Sequence, residues 1–228
     1  MRISIMQPGY IPWLGFFELM ARCDVFVILD DVSYTKRDWR SRNRIRTKQG
    51  WIWLTVPVLS KNRSGQLILE TKINNDKNWR AAHLKCLEIH YSQSAYFKKY
   101  IHSFKDLYSR DWELLIDLDM AIISFLAEAL DIGTRVIRSS QLEILGLHGN
   151  QRILAICEKL QSRELYDSQG AKPFIDLALF QEKGIRVEFQ EFRHPTYRQV
   201  YAPFLPFMSA VDLLFNEGPH GKEIILGN

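Results

Sequence analysis

Cysteine is scarce and scattered. The chain has three in 228 residues, Cys23, Cys86 and Cys157, and no C-x-x-C pair, which excludes a disulfide framework and leaves zinc or dithiol chemistry without a ligand set. A reducing cytoplasm is the expected location. Long apolar runs are also missing: the longest, around Met120 to Leu130, meets charge within about 12 residues, well short of the span a bilayer requires. Pro8 interrupts the first apolar run before a secretory segment forms. No G-x-G-x-x-G, G-x-x-x-x-G-K-[ST] or G-x-S-x-G occurs, so dinucleotide, P-loop and serine-hydrolase chemistry lose their usual carriers. Neither an internal repeat nor a Gly-, Ser- or Pro-rich linker divides the chain, and residues 1–228 are expected to form one α/β domain.

What is present is a globular balance, 46% apolar and 25% charged, enough for a core that folds unaided. The formal net charge is +4, unevenly spread. Lys36, Arg37, Arg40, Arg42, Arg44, Arg46 and Lys48 stand against Asp38 alone, a local balance of +6 that leaves the rest of the chain at −2. A local patch implies a local anion, and ranks a nucleotide ahead of a nucleic acid.

Arg2 to Met6 and Val25 to Leu29 read as buried strands around a helix from Leu14 to Arg22. Period-two alternation from Arg42 to Val58 about a Lys48-Gln49-Gly50 turn predicts a basic antiparallel hairpin within residues 36–58. Asn78 to Leu130 predicts two or three helices, an insert over about 76–131, the last starting at a Ser109 cap. TRVIRS, Asn150–Leu160, ELYDS, Ile175–Lys183 and IRVEFQEF then alternate as strand and helix. Together these predict an α/β fold with a doubly wound, mostly parallel five-stranded sheet, a β-hairpin and the helical insert. Its ligand site should lie beyond the strand ends at Gln7, Asp30, Ser139, Ser168 and Phe192.

The first candidate is the loop from Gln7 to Phe17, dense in proline, glycine and aromatic residues. Gly15 at the helix start would let an anion approach free backbone N–H groups, with Tyr10 and Trp13 beside it; the competing reading is aromatic core filler. Asp30 and Asp31 end a strand where a carboxylate holds Mg²⁺ or a ribose hydroxyl, or merely partners a nearby arginine. Arg42, Arg44 and Arg46 share one face of an extended segment, roughly 7 Å apart. Their forks suit a pyrophosphate, with Lys36, Arg37 and the indoles of Trp39, Trp51 and Trp53 close by; a charged edge strand is the plainer reading. His83, Cys86 and His90 share a helix face but lack a fourth ligand, so no metal site is expected there. His148 and His194 flank strands, and either suits a general base.

At these residues the chain resembles a known family. QPGYIPWLGFFELMARCDVFVILDDVSYTKRDWRSRNRIRT followed by WLTVPV is similar to the signature of the WbqC-like family, and the similarity continues through RILAICEKL, ELYDSQGAKPFID, GIRVEFQEF, HPTY and SAVDLLFNEG. The resemblance implies a bacterial protein of O-antigen or other surface-polysaccharide synthesis. It also implies attachment of an acyl or aminoacyl group to the amine of a nucleotide-linked 4-amino-4,6-dideoxy sugar. Where the family reads His-Gln-Pro, this chain has Met6-Gln7-Pro8, so a histidine acting there in relatives is replaced. The first unit also resembles the HIGH-motif nucleotidyltransferases, although Trp13-Leu14-Gly15-Phe16 stands in place of their histidines.

The expectation is therefore a cytoplasmic N-acyl or aminoacyl transferase, or amide ligase, on a nucleotide-linked amino sugar. Gln7, Asp30, Asp31 and His194 are its candidate catalytic residues. Tyr10, Trp13, Gly15, Lys36, Arg37, Trp39, Arg42, Arg44 and Arg46 are the candidate substrate-binding residues. ATP or another activated acyl donor is the expected co-reactant, with Mg²⁺ and a homo-oligomer left open. The alternatives are a metal-dependent nucleotidyl- or glycosyltransferase using Asp30 and Asp31, and a module for single-stranded nucleic acid.

Overall fold

The computed structural model describes residues 1–60 and 65–227. The opening unit is β1 (Arg2–Met6), α1 (Leu14–Ala21) and β2 (Val25–Ile28), followed by the hairpin of β3 (Arg42–Thr47) and β4 (Gly50–Thr55). Three helices come next, α2 (Trp79–Tyr91), α3 (Phe97–Ser109) and α4 (Leu115–Ala129). The chain then alternates through β5 (Arg135–Arg138), α5 (Gly149–Lys159), β6 (Glu164–Asp167), α6 (Leu177–Glu182) and β7 (Arg186–Phe189). It closes with α7 (Ala210–Glu217) and α8 (Gly221–Leu226).

The five strands form one sheet in the order β5-β2-β1-β6-β7, and every neighbouring pair is parallel. Alternation along the strands divides the core between two faces. Ile3, Ile5, Val25, Val27 and Leu165 pack with Leu154 of α5 and Phe180 of α6. Phe26, Ile28 and Tyr166 face the other way, into a larger cluster with α1, the three middle helices, α7 and the hairpin's Ile45 and Leu54. The expected α/β doubly wound sheet is thus what forms. Chain order runs outward from β1 through β2 to β5, then crosses over to add β6 and β7 on the other side. The order reverses beside β1, and in such sheets the crevice at the reversal is where ligands bind.

Local chemistry explains where the boundaries differ from expectation. Ser109 does not cap the last of the three helices; it ends α3, donating its hydroxyl to the Asp106 carbonyl at 2.9 Å. Before α4, Ile73 N donates to Glu113 O at 2.9 Å and Leu115 N to Thr71 O at 2.8 Å. Those bonds hold Glu113 and Leu114 extended, so the helix starts only at Leu115. The hairpin turn is Lys48-Gln49 alone, with Thr47 paired to Gly50. Gly50 has a φ of +142°, closed to most side chains. In α6 the start moves from Ile175 to Leu177 because the Asp176 carboxylate accepts from Ala178 N and Leu179 N. The last strand stops at Phe189, three residues short of Phe192.

Candidate functional site

A pocket of about 340 Å³ opens where the chain leaves β1. Met6, Pro8, Pro12, Trp13, Phe16 and Phe207 give it an apolar half; Gln7, Trp39, Arg40, Asn43 and Arg44 give it a polar half. A larger groove, about 530 Å³, lies between α4 and β5 and contains none of the candidate residues.

The pocket exists because the Gln7-Pro8-Gly9 turn is clamped against the hairpin. Tyr10 N donates to Trp39 O at 3.1 Å, and a Cβ on Gly9 would stand only 3.2 Å from that same oxygen. Asn43 lies on the inner side of β3 and donates its Nδ2 to Ile11 O at 2.9 Å. Tyr10 itself turns inward: it is fully buried, its hydroxyl 2.8 Å from His83 Nδ1 and 2.5 Å from the Tyr108 hydroxyl. It is therefore not positioned to stack on a ligand. Gly15 likewise serves the protein, since a Cβ there would lie 2.4 Å from the Trp13 indole. The space expected for an anion holds the Trp13 ring.

Of the three arginines on β3, Arg44 alone lines the pocket. Its guanidinium carbon lies 5.5, 5.1 and 5.8 Å from the ring centres of Trp39, Trp51 and Trp53. Burial among these rings lowers its pKa from the ordinary arginine value. Arg42 lies 4.3 Å over Trp53, at the pocket's flank. Arg46 is spent on the fold: its guanidinium donates to the carbonyls of Thr47, Gly50 (2.7 Å), Tyr201 (3.4 Å) and Pro203 (2.9 Å). Its Nε has no partner among the described residues, but the side chain is only 1% exposed and lies outside the pocket, so the expected three-arginine stripe reduces to two at the pocket. Lys36 and Arg37 stand exposed on the preceding loop, outside the pocket lining.

Asp30 and Asp31 are also engaged internally. Asp30 Oδ2 accepts from Arg138 Nε at 2.6 Å and Ser140 Oγ at 2.8 Å, while Oδ1 accepts from Ser139 Oγ at 3.1 Å and Ser140 N at 3.0 Å. The single Ser139 hydroxyl proton is shared with Asp31, whose Oδ1 lies 2.5 Å from the same oxygen and whose Oδ2 pairs with Arg152. The expectation of a metal-binding or basic carboxylate here meets a saturated clasp. His194 has both ring nitrogens committed: Nδ1–H donates to Pro195 O at 2.8 Å, and Nε2 accepts from Phe207 N at 3.0 Å. That leaves no lone pair for a base, and burial lowers its pKa further.

Three groups at the pocket remain unmatched. Gln7 Oε1, Arg40 Nε and Arg44 Nε are buried with no hydrogen-bond partner among the described residues. Buried polar atoms are almost always paired, so such a cluster marks where a ligand or water completes the structure. The profile of the WbqC-like protein family matches residues 7–224. The chain belongs to the WbqC-like family. The uncharacterized protein Rv1507c of Mycobacterium tuberculosis is 35% identical over 226 residues, covering 98% of this chain and 97% of that protein. No solved structure matches the chain. The WbqC-like match takes in every pocket residue after Met6.

Arg40, counted in the basic stretch but not singled out as a site residue, and Asn43, within the same stretch, also line the pocket. Asn43 could have been found, because alternation places it opposite Arg42 and Arg44, on the buried face. Phe207 carried no signal, since it reaches the pocket from a loop almost 200 residues beyond Gln7. Among the described residues no three His, Cys, Asp or Glu side chains gather as a metal set, and no helix is long and apolar enough to cross a membrane.

Proposed function

We propose that this WbqC-like protein is a transferase that acylates or aminoacylates the amine of a nucleotide-linked amino sugar during surface-polysaccharide synthesis, and that the pocket at the end of β1 holds the sugar. The supporting observation is a conjunction within one cavity. An unpartnered carbonyl acceptor on Gln7 shares it with an unpartnered Arg44 guanidinium packed among indoles. The acceptor suits an amine N–H, the guanidinium suits a phosphate, and an exposed indole such as Trp39 suits a base or sugar face.

Gln7 cannot take a proton at neutral pH, so its part is orientation: it accepts one amine hydrogen and turns the nitrogen lone pair toward the acyl carbon. The amine attacks that carbon, the bond to the activating group breaks, and the amine proton departs with the leaving group. An activated donor, an acyl phosphate or adenylate, fits because its leaving group is itself a proton acceptor. Arg44 with Arg42 at its flank would hold the pyrophosphate, and Asp30, Asp31 and Arg46 would shape the scaffold.

The test is a thermal-shift screen against dTDP, UDP, GDP, CDP, ATP and a short single-stranded RNA, since a ligand bound only by the folded state raises Tm. One nucleoside diphosphate should give a shift, and replacing Arg44 with Ala should weaken its binding about tenfold or more. Replacing Arg2, at the opposite end of β1, should leave it unchanged. Equal effects remove the phosphate role; a shift with RNA alone replaces the transferase reading with a nucleic-acid site.

A further inference from the structure

We propose that Phe207 is the wall that selects what enters the pocket, and that His194 is the positioning residue that holds it there. The segment from Gln190 to Met208 links β7 to α7 without helix or strand. Hydrogen bonds to other elements pin it along its length. Gln190 Nε2 donates to Gly15 O at 2.8 Å, the Tyr197 hydroxyl and Gln199 Nε2 both donate to Asp212 Oδ2, and Arg46 reaches Pro203 O. Phe207, near its far end, sits differently. It is 47% exposed, lines the pocket, and stands 6.2 Å from the Trp13 ring.

Its backbone needs holding. Phe207 has a φ of +62°, a conformation that a bulky residue adopts only when its surroundings impose it. The restraint is the bond from its N–H to His194 Nε2 at 3.0 Å. The second bond, from Nδ1–H to Pro195 O, leaves Nε2 the unprotonated nitrogen, able only to accept. Phe192, Tyr197 and Phe204 surround the imidazole at ring separations of 6.1, 6.3 and 5.9 Å, so it has little freedom to swing away. With the acceptor removed, Phe207 relaxes to an ordinary backbone angle and the apolar half of the pocket loses its outer wall. His194 thus acts on the substrate through Phe207.

Backbone amide exchange at Phe207, measured on the whole protein, tests the latch without any ligand. His194→Leu should speed exchange about five- to tenfold, the worth of one hydrogen bond. His194→Gln, whose Oε1 replaces Nε2 as acceptor, should restore slow exchange. Equal exchange in wild type, Leu and Gln variants overturns the latch. The selecting role rests on the pocket being the sugar site. It is read by titrating UDP and UDP-glucose, and dTDP and dTDP-glucose, against wild type and Phe207→Ala. The substitution should change affinity for the hexose-bearing member severalfold and leave the nucleoside diphosphate unchanged. Equal effects on both, or none, overturn the selecting role. Failure of wild type to bind any of the four overturns the selecting role for these hexoses, and the transferase reading falls with it only when GDP, CDP and ATP also give no shift, while amide exchange still decides the latch.

Discussion

At the end of β2, Arg138 Nε, Ser140 N and Ser140 Oγ donate to the oxygens of Asp30, the Ser139 hydroxyl is shared between Asp30 and Asp31, and Arg152 pairs with Asp31. At the end of β1, Gln7 and Arg44 stand with polar atoms that no group among the described residues meets. Both regions are polar, both lie at the carboxyl ends of strands in a parallel sheet, and both attracted notice in the sequence. They differ in how far the protein has already satisfied its own groups. A buried carboxylate with donors on both oxygens is a structural element, because freeing a lone pair for a ligand costs a bond already made. A buried acceptor without a donor loses nothing by binding. Polar density therefore points to a region, and within it unmatched atoms that also border a cavity, unlike the unmatched Asp119 carboxylate in the core, mark where a ligand can bind.

Breaking the clasp should have the largest effect. Asp30→Ala strips Arg138 of its buried partner and should cost about 3–5 kcal/mol of folding stability, read by urea denaturation. If the loss is below 1 kcal/mol, the clasp is not a structural element and Asp30 returns as a functional candidate.

Asp167 sharpens the contrast at a third strand end. It is buried at the end of β6 with its own neighbour's backbone N–H, from Ser168, as donor and no ion pair among the described residues. Burial pushes its carboxyl up to about 6, the Ser168 bond pulling only weakly the other way. The folded state thus holds the proton to a higher pH than the unfolded chain does, so its stability falls as pH rises from about 4 to 6. Asp167→Asn keeps the acceptor for Ser168 N and removes the buried charge. It should add about 2 kcal/mol at pH 8 and nothing at pH 4. Denaturation at the two pH values checks this; an equal gain at both would mean that ionisation is not the cause.

The smallest stability change belongs to the open site. Gln7→Leu removes an unmatched acceptor at similar volume and should leave stability within about 1 kcal/mol of wild type. Affinity for a nucleotide-linked amino sugar should fall all the same. Loss of stability as large as that of Asp30→Ala would erase the distinction between the two strand ends.

Much of the fold was legible because it depends on short-range patterns. VFVI reads as a strand buried on both faces, RNRIRT alternates, and few breakers interrupt the helices from Trp79 to Ala129. Alternation also placed Arg42, Arg44 and Arg46 on one face of β3. It could not tell that a loop carrying Tyr201 and Pro203 would arrive to occupy Arg46 while leaving Arg44 at the pocket. Ser109 misled for a related reason: its local sequence suits a cap, but pairing of Glu113 and Leu115 with residues 71–73 decides where α4 begins.

The sequence by itself determined the sheet and its helices, the strand ends at which a ligand is proposed, and the local excess of positive charge, because periodicity and charge spacing act between near neighbours. Tertiary structure alone decided which polar groups remain free. Satisfaction of a buried group depends on partners more than 100 residues away, such as Arg138 for Asp30 and Asp212 for Tyr91. No local pattern records whether such a partner will arrive.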